Sequence, residues 1–273
     1  MRTGTVSSAL GEEVRVVLLS WDEFMVWWPK TWKPGEHIYI AGQTGSGKTT
    51  TGVRLVEHRP VVAAMDAKGM DSSLSASGWD RIQSWLPRWV KEDLKDHRPV
   101  RIIVGGINNN DSQFAKLSAL LNRAIKGIWA MGNWVCFCDE GQILTDTRYV
   151  GGGTGVERLL IAARDRGVSV VFATQRPSVG LRAPSSIAAM QQASWLVVTR
   201  TRDRKVHARL AELAGRPIEE MSKLITGLPR FHWALFSLSP YDPIRIFCPP
   251  PLPRLPPQKR SKVSLALWGH SAS

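Results

Sequence analysis

No apolar run in this 273-residue chain approaches the ~18–20 residues needed to span a bilayer, and no secretory signal opens it. A chain without a membrane-spanning segment is therefore expected. Cysteine is scarce as well. Three residues cannot make a disulfide framework, which points to a reducing, cytoplasmic setting. Acidic residues are few, 23 Asp and Glu against 36 Lys and Arg, leaving a formal charge of +13. Thirteen basic and five acidic residues lie between Arg200 and Lys262, so +8 of that excess sits in one stretch. Such asymmetry suggests a polyanionic partner, nucleic acid before a membrane surface; the plainer reading is a merely soluble basic face. The remaining composition is ordinary, 43% hydrophobic and 22% charged, which excludes global disorder and fibrous folds. The length suits one large α/β domain or two small ones.

What is present begins with aromatics. An apolar run, Val14 to Leu19, is followed by Trp21, Phe24, Trp27, Trp28 and Trp32. Residues 1–36 read as an N-terminal Trp-rich cap. Its rings are either core packed on the domain or a platform on which a base stacks. From His37 onward, short apolar runs alternate with helical periodicity. His37 to Ala41, Val61 to Met65, Val100 to Val104, Trp134 to Cys138, Val168 to Ala173, Trp195 to Val198 and Phe231 to Phe236 are strand candidates. Lys48 to Glu57 can form a helix, and Phe114, Leu117, Leu121, Ala124 and Ile128 recur at helical spacing. Val156, Leu159, Leu160 and Ala163 stripe another helix. Alternating strands and helices predict an α/β fold over 37–247, with a mostly parallel sheet covered on both faces. Six of the nine residues from Pro249 to Pro257 are proline, and a basic Lys259-Arg260-Ser-Lys262 follows. Residues 248–273 therefore read as a Pro-rich basic tail, extended or disordered.

The chemistry concentrates in Gly42-Gln43-Thr44-Gly45-Ser46-Gly47-Lys48-Thr49, a full P-loop pattern between a strand and a helix, with Thr50 next in the helix. Its glycines let backbone N–H groups turn inward onto phosphate oxygens, and the following helix presents its positive end to them. Lys48 would reach the β- and γ-phosphates of ATP, and the Thr49 hydroxyl would ligate Mg²⁺. A carboxylate for the metal is expected at the end of another strand. Val135-Cys136-Phe137-Cys138-Asp139-Glu140 supplies it: Asp139 for Mg²⁺ and Glu140 as general base for the attacking water. Cys136 and Cys138 share one face of that strand, as buried core or as part of a metal or redox pair. A later strand runs into Thr174-Gln175-Arg176-Pro177. A strand inserted after the Asp-Glu strand and ending in Gln describes an additional-strand ATPase. There Gln175 would sense the γ-phosphate or orient water, unless it is simply a polar residue ending a strand.

These motifs, with Asp66-Ala67-Lys68-Gly69 after the second strand and Arg164-Asp165-Arg166-Gly167 before Ala173-Thr174-Gln175-Arg176-Pro177, resemble the FtsK–HerA family of DNA-pumping ATPases. The resemblance covers roughly residues 37–240. It implies a RecA-like core in a homohexameric ring, with double-stranded DNA threaded through it without regard to sequence. ATP would lie between subunits, and an arginine from the neighbour would complete each site. Arg166 and Arg164 are the candidates, Arg166 preferred, with Arg200 and Arg202 in reserve. No membrane-spanning N-terminus and no C-terminal winged helix can be read, unlike chromosome-segregation pumps. That leaves a motor the size of viral genome-packaging or small plasmid-transfer ATPases. Virion packaging is the preferred setting, in the host cytoplasm or with the virion, and the tail is a docking segment for a portal, membrane or capsid partner. The alternative from another class is an ATPase that assembles or remodels a protein complex, as in filamentous-phage assembly. A scaffold that binds ATP and scarcely hydrolyses it is disfavoured by the intact Glu140.

Overall fold

The central strands are near-continuous apolar runs because both faces of their sheet are covered, and successive side chains feed alternate sides. The computed structural model describes residues 2–7, 13–68, 71–106, 113–144, 154–175, 191–237, 239 and 242–252. Among the described residues eleven strands form one sheet: β1 (Arg2–Ser7), β2 (Glu13–Leu18), β3 (His37–Ala41), β4 (Val61–Asp66), β5 (Asp80–Ile82), β6 (Val100–Val104), β7 (Val135–Asp139), β8 (Ser169–Thr174), β9 (Ala193–Thr199), β10 (Trp233–Ser237) and β11 (Ile244–Phe247). Their order is β1-β2-β11-β10-β9-β3-β8-β7-β4-β6-β5. From β9 to β5 every pairing is parallel, whereas β10 runs antiparallel to both β9 and β11. The fold is α/β, as the alternation of elements predicts. β8 lies between β3 and β7, the arrangement that defines the additional-strand class.

Within β4, Val62 and Ala64 enter one core while Ala63 and Met65 enter the other. The first core is closed by α1 (Trp21–Thr31), α2 (Lys48–Val56) and the short α3 (Ser72–Ser75). The second is closed by α4 (Arg88–Lys95), α5 (Phe114–Met131), α7 (Thr154–Ala162), α8 (Arg204–Ala214) and α9 (Ile218–Gly227). A single-turn α6 (Gly141–Leu144) follows β7. Among the described residues no helix is long and apolar enough to cross a membrane.

The N-terminal tryptophans settle as core. Ser20 and Glu23 form a reciprocal cap that starts α1, and Phe24, Trp28 and Trp32 are at most 1% exposed. Trp28 Nε1 donates to the Leu55 carbonyl at 3.0 Å, so α1 braces the C-terminal end of α2. A base-stacking platform on these three rings is excluded by their burial. β2 also pairs with β11, which makes the N-terminal segment an extension of the main sheet.

Two sequence expectations change in detail. The strand expected from Phe231 begins only at Trp233, because Pro229–His232 close a turn in which Phe231 takes φ of +62°. The helix before β8 ends at Ala162, and Arg164–Arg166 form a separate 3₁₀ turn.

Candidate nucleotide and catalytic site

The loop between β3 and α2 carries the P-loop residues. Gly45 and Gly47 take φ of +75° and +90°, where a side chain would be strained, and Gly47 ends the loop as the N-cap of α2. Lys48 is buried, and its Nζ donates to the Gln43 carbonyl at 3.0 Å, so the ammonium curls back over the loop. Burial lowers its pKa, against the opposing pull of Glu140 and Asp139.

The parallel register of β3 with β8 and of β8 with β7 brings three chain segments to one edge of the sheet. Thr49 Oγ1 donates to Asp139 Oδ2 at 2.8 Å. An alcohol and a carboxylate oxygen this close suit a hard divalent cation. Among the described residues Ser46 Oγ is buried with no hydrogen-bond partner, a polar atom of the loop left to be satisfied. The loop therefore fits a Mg²⁺-nucleotide, with Thr49 and Asp139 as the metal's residues. Burial, partly offset by the Thr49 hydrogen bond, pushes the Asp139 carboxyl up to about 6.

Glu140 follows in a left-handed conformation, φ +56°, rare for a non-glycine residue and a common mark of a functional site. Its Oε1 accepts from the Gln175 amide and, at 3.2 Å, from Lys68 Nζ. Gln175 Oε1 in turn accepts from Thr44 Oγ1 at 2.7 Å, so the loop, the β8 end and the β7 end form one hydrogen-bonded chain. Asp66 closes the far side: it accepts from the backbone of Lys68 and Asp71 and pairs with Arg81. Lys48, Thr49, Asp139, Glu140 and Gln175 thus converge, as the motifs require.

No protein-family model matches the chain, and no curated protein matches it. Solved structures do share its architecture. The genome-packaging NTPase B204 of Sulfolobus turreted icosahedral virus 2, in complex with AMPPCP, superposes with a TM-score of 0.51 at 16% identity, over 80% of this chain and 100% of its own. The DNA-packaging ATPase B204 of Sulfolobus turreted icosahedral virus gives 0.53 at 17% identity over the same shares, 80% and 100%. The chain shares the fold of these two proteins. VirB4 of Thermoanaerobacter pseudethanolicus shares that fold at a TM-score of 0.51 and 9% identity, over 74% and 86% of the two chains. At the level of architecture, the resemblance carried by the P-loop, the Asp-Glu pair and the Gln-ended strand is borne out.

Within this fold the arginines divide by sheet edge. Arg164 and Arg166 precede β8, whose far end, Thr174, touches the P-loop through Gly42. Six strand residues, about 17 Å, separate them from their own nucleotide loop. Arg164 donates to the Gln192 carbonyl and Ser194 Oγ, both at 3.2 Å. Arg166 lies 5.2 Å from the Trp129 ring centroid and reaches the carbonyls of Trp129 and Ala130 at 3.4 Å. Both are exposed. Arg200 and Arg202, by contrast, follow β9 on the P-loop edge, and between them Thr201 accepts from Gln43 at 3.4 Å.

Cys136 and Cys138 are fully buried with sulfurs 3.7 Å apart. Among the described residues no group of three His, Cys, Asp or Glu could hold a metal, so the cysteines are core. The described start of the tail lies against α2. The carbonyls of Pro250 and Pro251 are bound by Arg54 of α2 at 3.3 and 2.8 Å. Arg176 and residues 253–273, which include Lys259, Arg260 and Lys262, lie outside the described residues.

Proposed function

We propose that this protein hydrolyses ATP to drive double-stranded DNA through a homohexameric ring, in packaging or transfer of a genome. The observation that carries the reading is the joined chain Thr44–Gln175–Glu140 beside the Thr49–Asp139 pair, at the mouth of a complete P-loop. Lys48 and the loop amides bind the triphosphate, and Mg²⁺, when bound, neutralises charge on the β- and γ-oxygens. Glu140 takes a proton from a water aligned by Gln175. The water oxygen bonds to the γ-phosphorus as its bond to the bridging oxygen breaks, releasing ADP. Arg166 or Arg164 reaches the γ-phosphate of a neighbouring subunit, since neither can reach its own.

The test is the ATPase rate with and without double-stranded DNA, read beside the native mass. DNA should raise turnover, and Lys48→Ala should weaken ATP binding and abolish turnover. Glu140→Gln should keep binding and lose hydrolysis by roughly 10²-fold or more. DNA affinity should ignore sequence and fall with salt, with a slope near −0.9 per phosphate contacted. Turnover indifferent to DNA, with the ring intact, would favour the protein-remodelling alternative.

A further inference from the structure

The turn between α9 and β10 holds an aromatic ring at a double cost. Phe231 is 44% exposed and takes φ of +62°, a conformation that bulky side chains avoid. The turn is closed by the His232 N–H on the Pro229 carbonyl, and Thr199 Oγ1 donates to the His232 carbonyl at 3.0 Å. Because Thr199 ends β9 and Val198 pairs with Ala41 of β3, this turn stands on the same sheet edge as the P-loop. The ring is beside it. Phe231 Cδ1 lies 3.7 Å from where a Cβ on Gly47 would stand, and the Arg230 guanidinium lies 4.7 Å from the ring centroid. A strained, solvent-exposed ring at the start of the phosphate-binding helix calls for a ligand.

The sheet order says which part of that ligand. Asp139, Glu140 and Gln175 mark the γ-phosphate end and lie on the β8–β7 side of β3, whereas β9 and β10 lie on its other side. A triphosphate seated with its γ end at those groups directs its α-phosphate and nucleoside toward β9 and β10. That is the flank Phe231 occupies. We propose that Phe231, backed by Arg230, is the stacking platform for the base of the bound nucleotide; the proposal rests on the assignment of Gly42–Thr49 as the phosphate site. Stacking holds a base by its π-face, with the guanidinium adding a cation–π contribution.

The experiment is calorimetric titration of the full-length protein with Mg²⁺ and two probes, the non-hydrolysable AMPPCP and inorganic tripolyphosphate, which lacks a base. Phe231→Ala should weaken AMPPCP by roughly tenfold or more and leave tripolyphosphate unchanged, the signature of a lost base contact. Phe231→Asn, which accepts positive φ, should do the same, and Phe231→Trp should keep AMPPCP affinity. AMPPCP affinity unchanged in Phe231→Ala and Phe231→Asn would overturn the proposal, as would an equal loss of both probes. Lys48→Ala that leaves both affinities intact would instead overturn the phosphate-site assignment beneath it.

Discussion

The ammonium of Lys68 lies 3.2 Å from Glu140 Oε1, and the Gln175 amide meets the same carboxylate oxygen. Partial burial alone would lower the Lys68 pKa, but the hydrogen bond and charge of Glu140, with Asp71 at 3.3 Å, raise it above the usual value. The ammonium is half-exposed, so the pair contributes little to stability. Its consequence is aim. Lys68→Met should leave ATP binding near normal and lower kcat by roughly tenfold, a fraction of the 10²–10⁴ a positioned base supplies. Lys68→Arg should recover most of the loss. Steady-state kinetics that separate kcat from KM decide it; a normal kcat in Lys68→Met would leave Gln175 as the sole holder of Glu140.

Gly52 permits the close approach of α2 to β7. A Cβ there would stand 2.4 Å from Phe137 Cζ, two residues before Asp139. Gly52→Ala should destabilise the protein by about 1–3 kcal/mol and lower turnover, because the helix moves off β7 and takes Thr49 from Asp139. Denaturant midpoints would show the loss. Adding Phe137→Leu should return part of it, a coupling that two independent sites would lack.

His37 gives acid sensitivity. Its Nδ1 accepts from the Val170 N–H and its Nε2 donates to the Leu160 carbonyl, both at 3.0 Å. Burial, assisted by the charge of Arg164 and opposed by the Leu160 hydrogen bond, lowers its pKa from 6.5 to about 4. Between those values the unfolded chain holds the extra proton, so stability rises with pH. The His37 contribution, about 3 kcal/mol, is complete above pH 6.5 and lost as the pH falls toward 4. His58, also lowered to about 4, acts in the same sense, and Asp139, raised to about 6, in the opposite one. His37→Gln should therefore flatten, without abolishing, the pH dependence of the unfolding midpoint; parallel curves would show another group in control.

If an arginine acts in trans, mixing two inactive variants should reveal it. Arg166→Ala should abolish hydrolysis and spare ATP binding, and mixing it with Lys48→Ala should restore some turnover. In a mixed ring a Lys48→Ala subunit would lend its Arg166 to an intact P-loop. Mixtures that stay inactive under proven subunit exchange would count against simple complementation. Full activity in Arg166→Ala would move the role to Arg164, whose guanidinium is held by Ser194.

The P-loop, Asp139, Glu140 and Gln175 were legible because each motif is contiguous and ends a strand, so local pattern alone fixes its sheet edge. The Lys68–Glu140 contact spans 72 positions and was not. It depends on the parallel register that sets Asp66 opposite Asp139, so that residues just past both strand ends meet. Phe231 was misread as strand because it precedes an apolar run; Pro229, two residues earlier, was the available turn signal. The separate 3₁₀ turn at Arg164–Arg166 is not legible, because the stripe ending at Ala163 gives no warning that the chain tightens there. The short β5 and β11, of three and four residues, carry too few residues to stand out from loops.

The hold of Arg54 on Pro250 and Pro251 has a mechanical consequence. Tension on Leu252 would load β11, which ends five residues earlier at Phe247, and also Arg54, two residues before the end of α2. Six helical residues, about 9 Å, carry it from there to Lys48. The start of the tail is thus fastened at two places, to the sheet through β11 and to the helix that follows the phosphate loop, so a load applied there is shared between them.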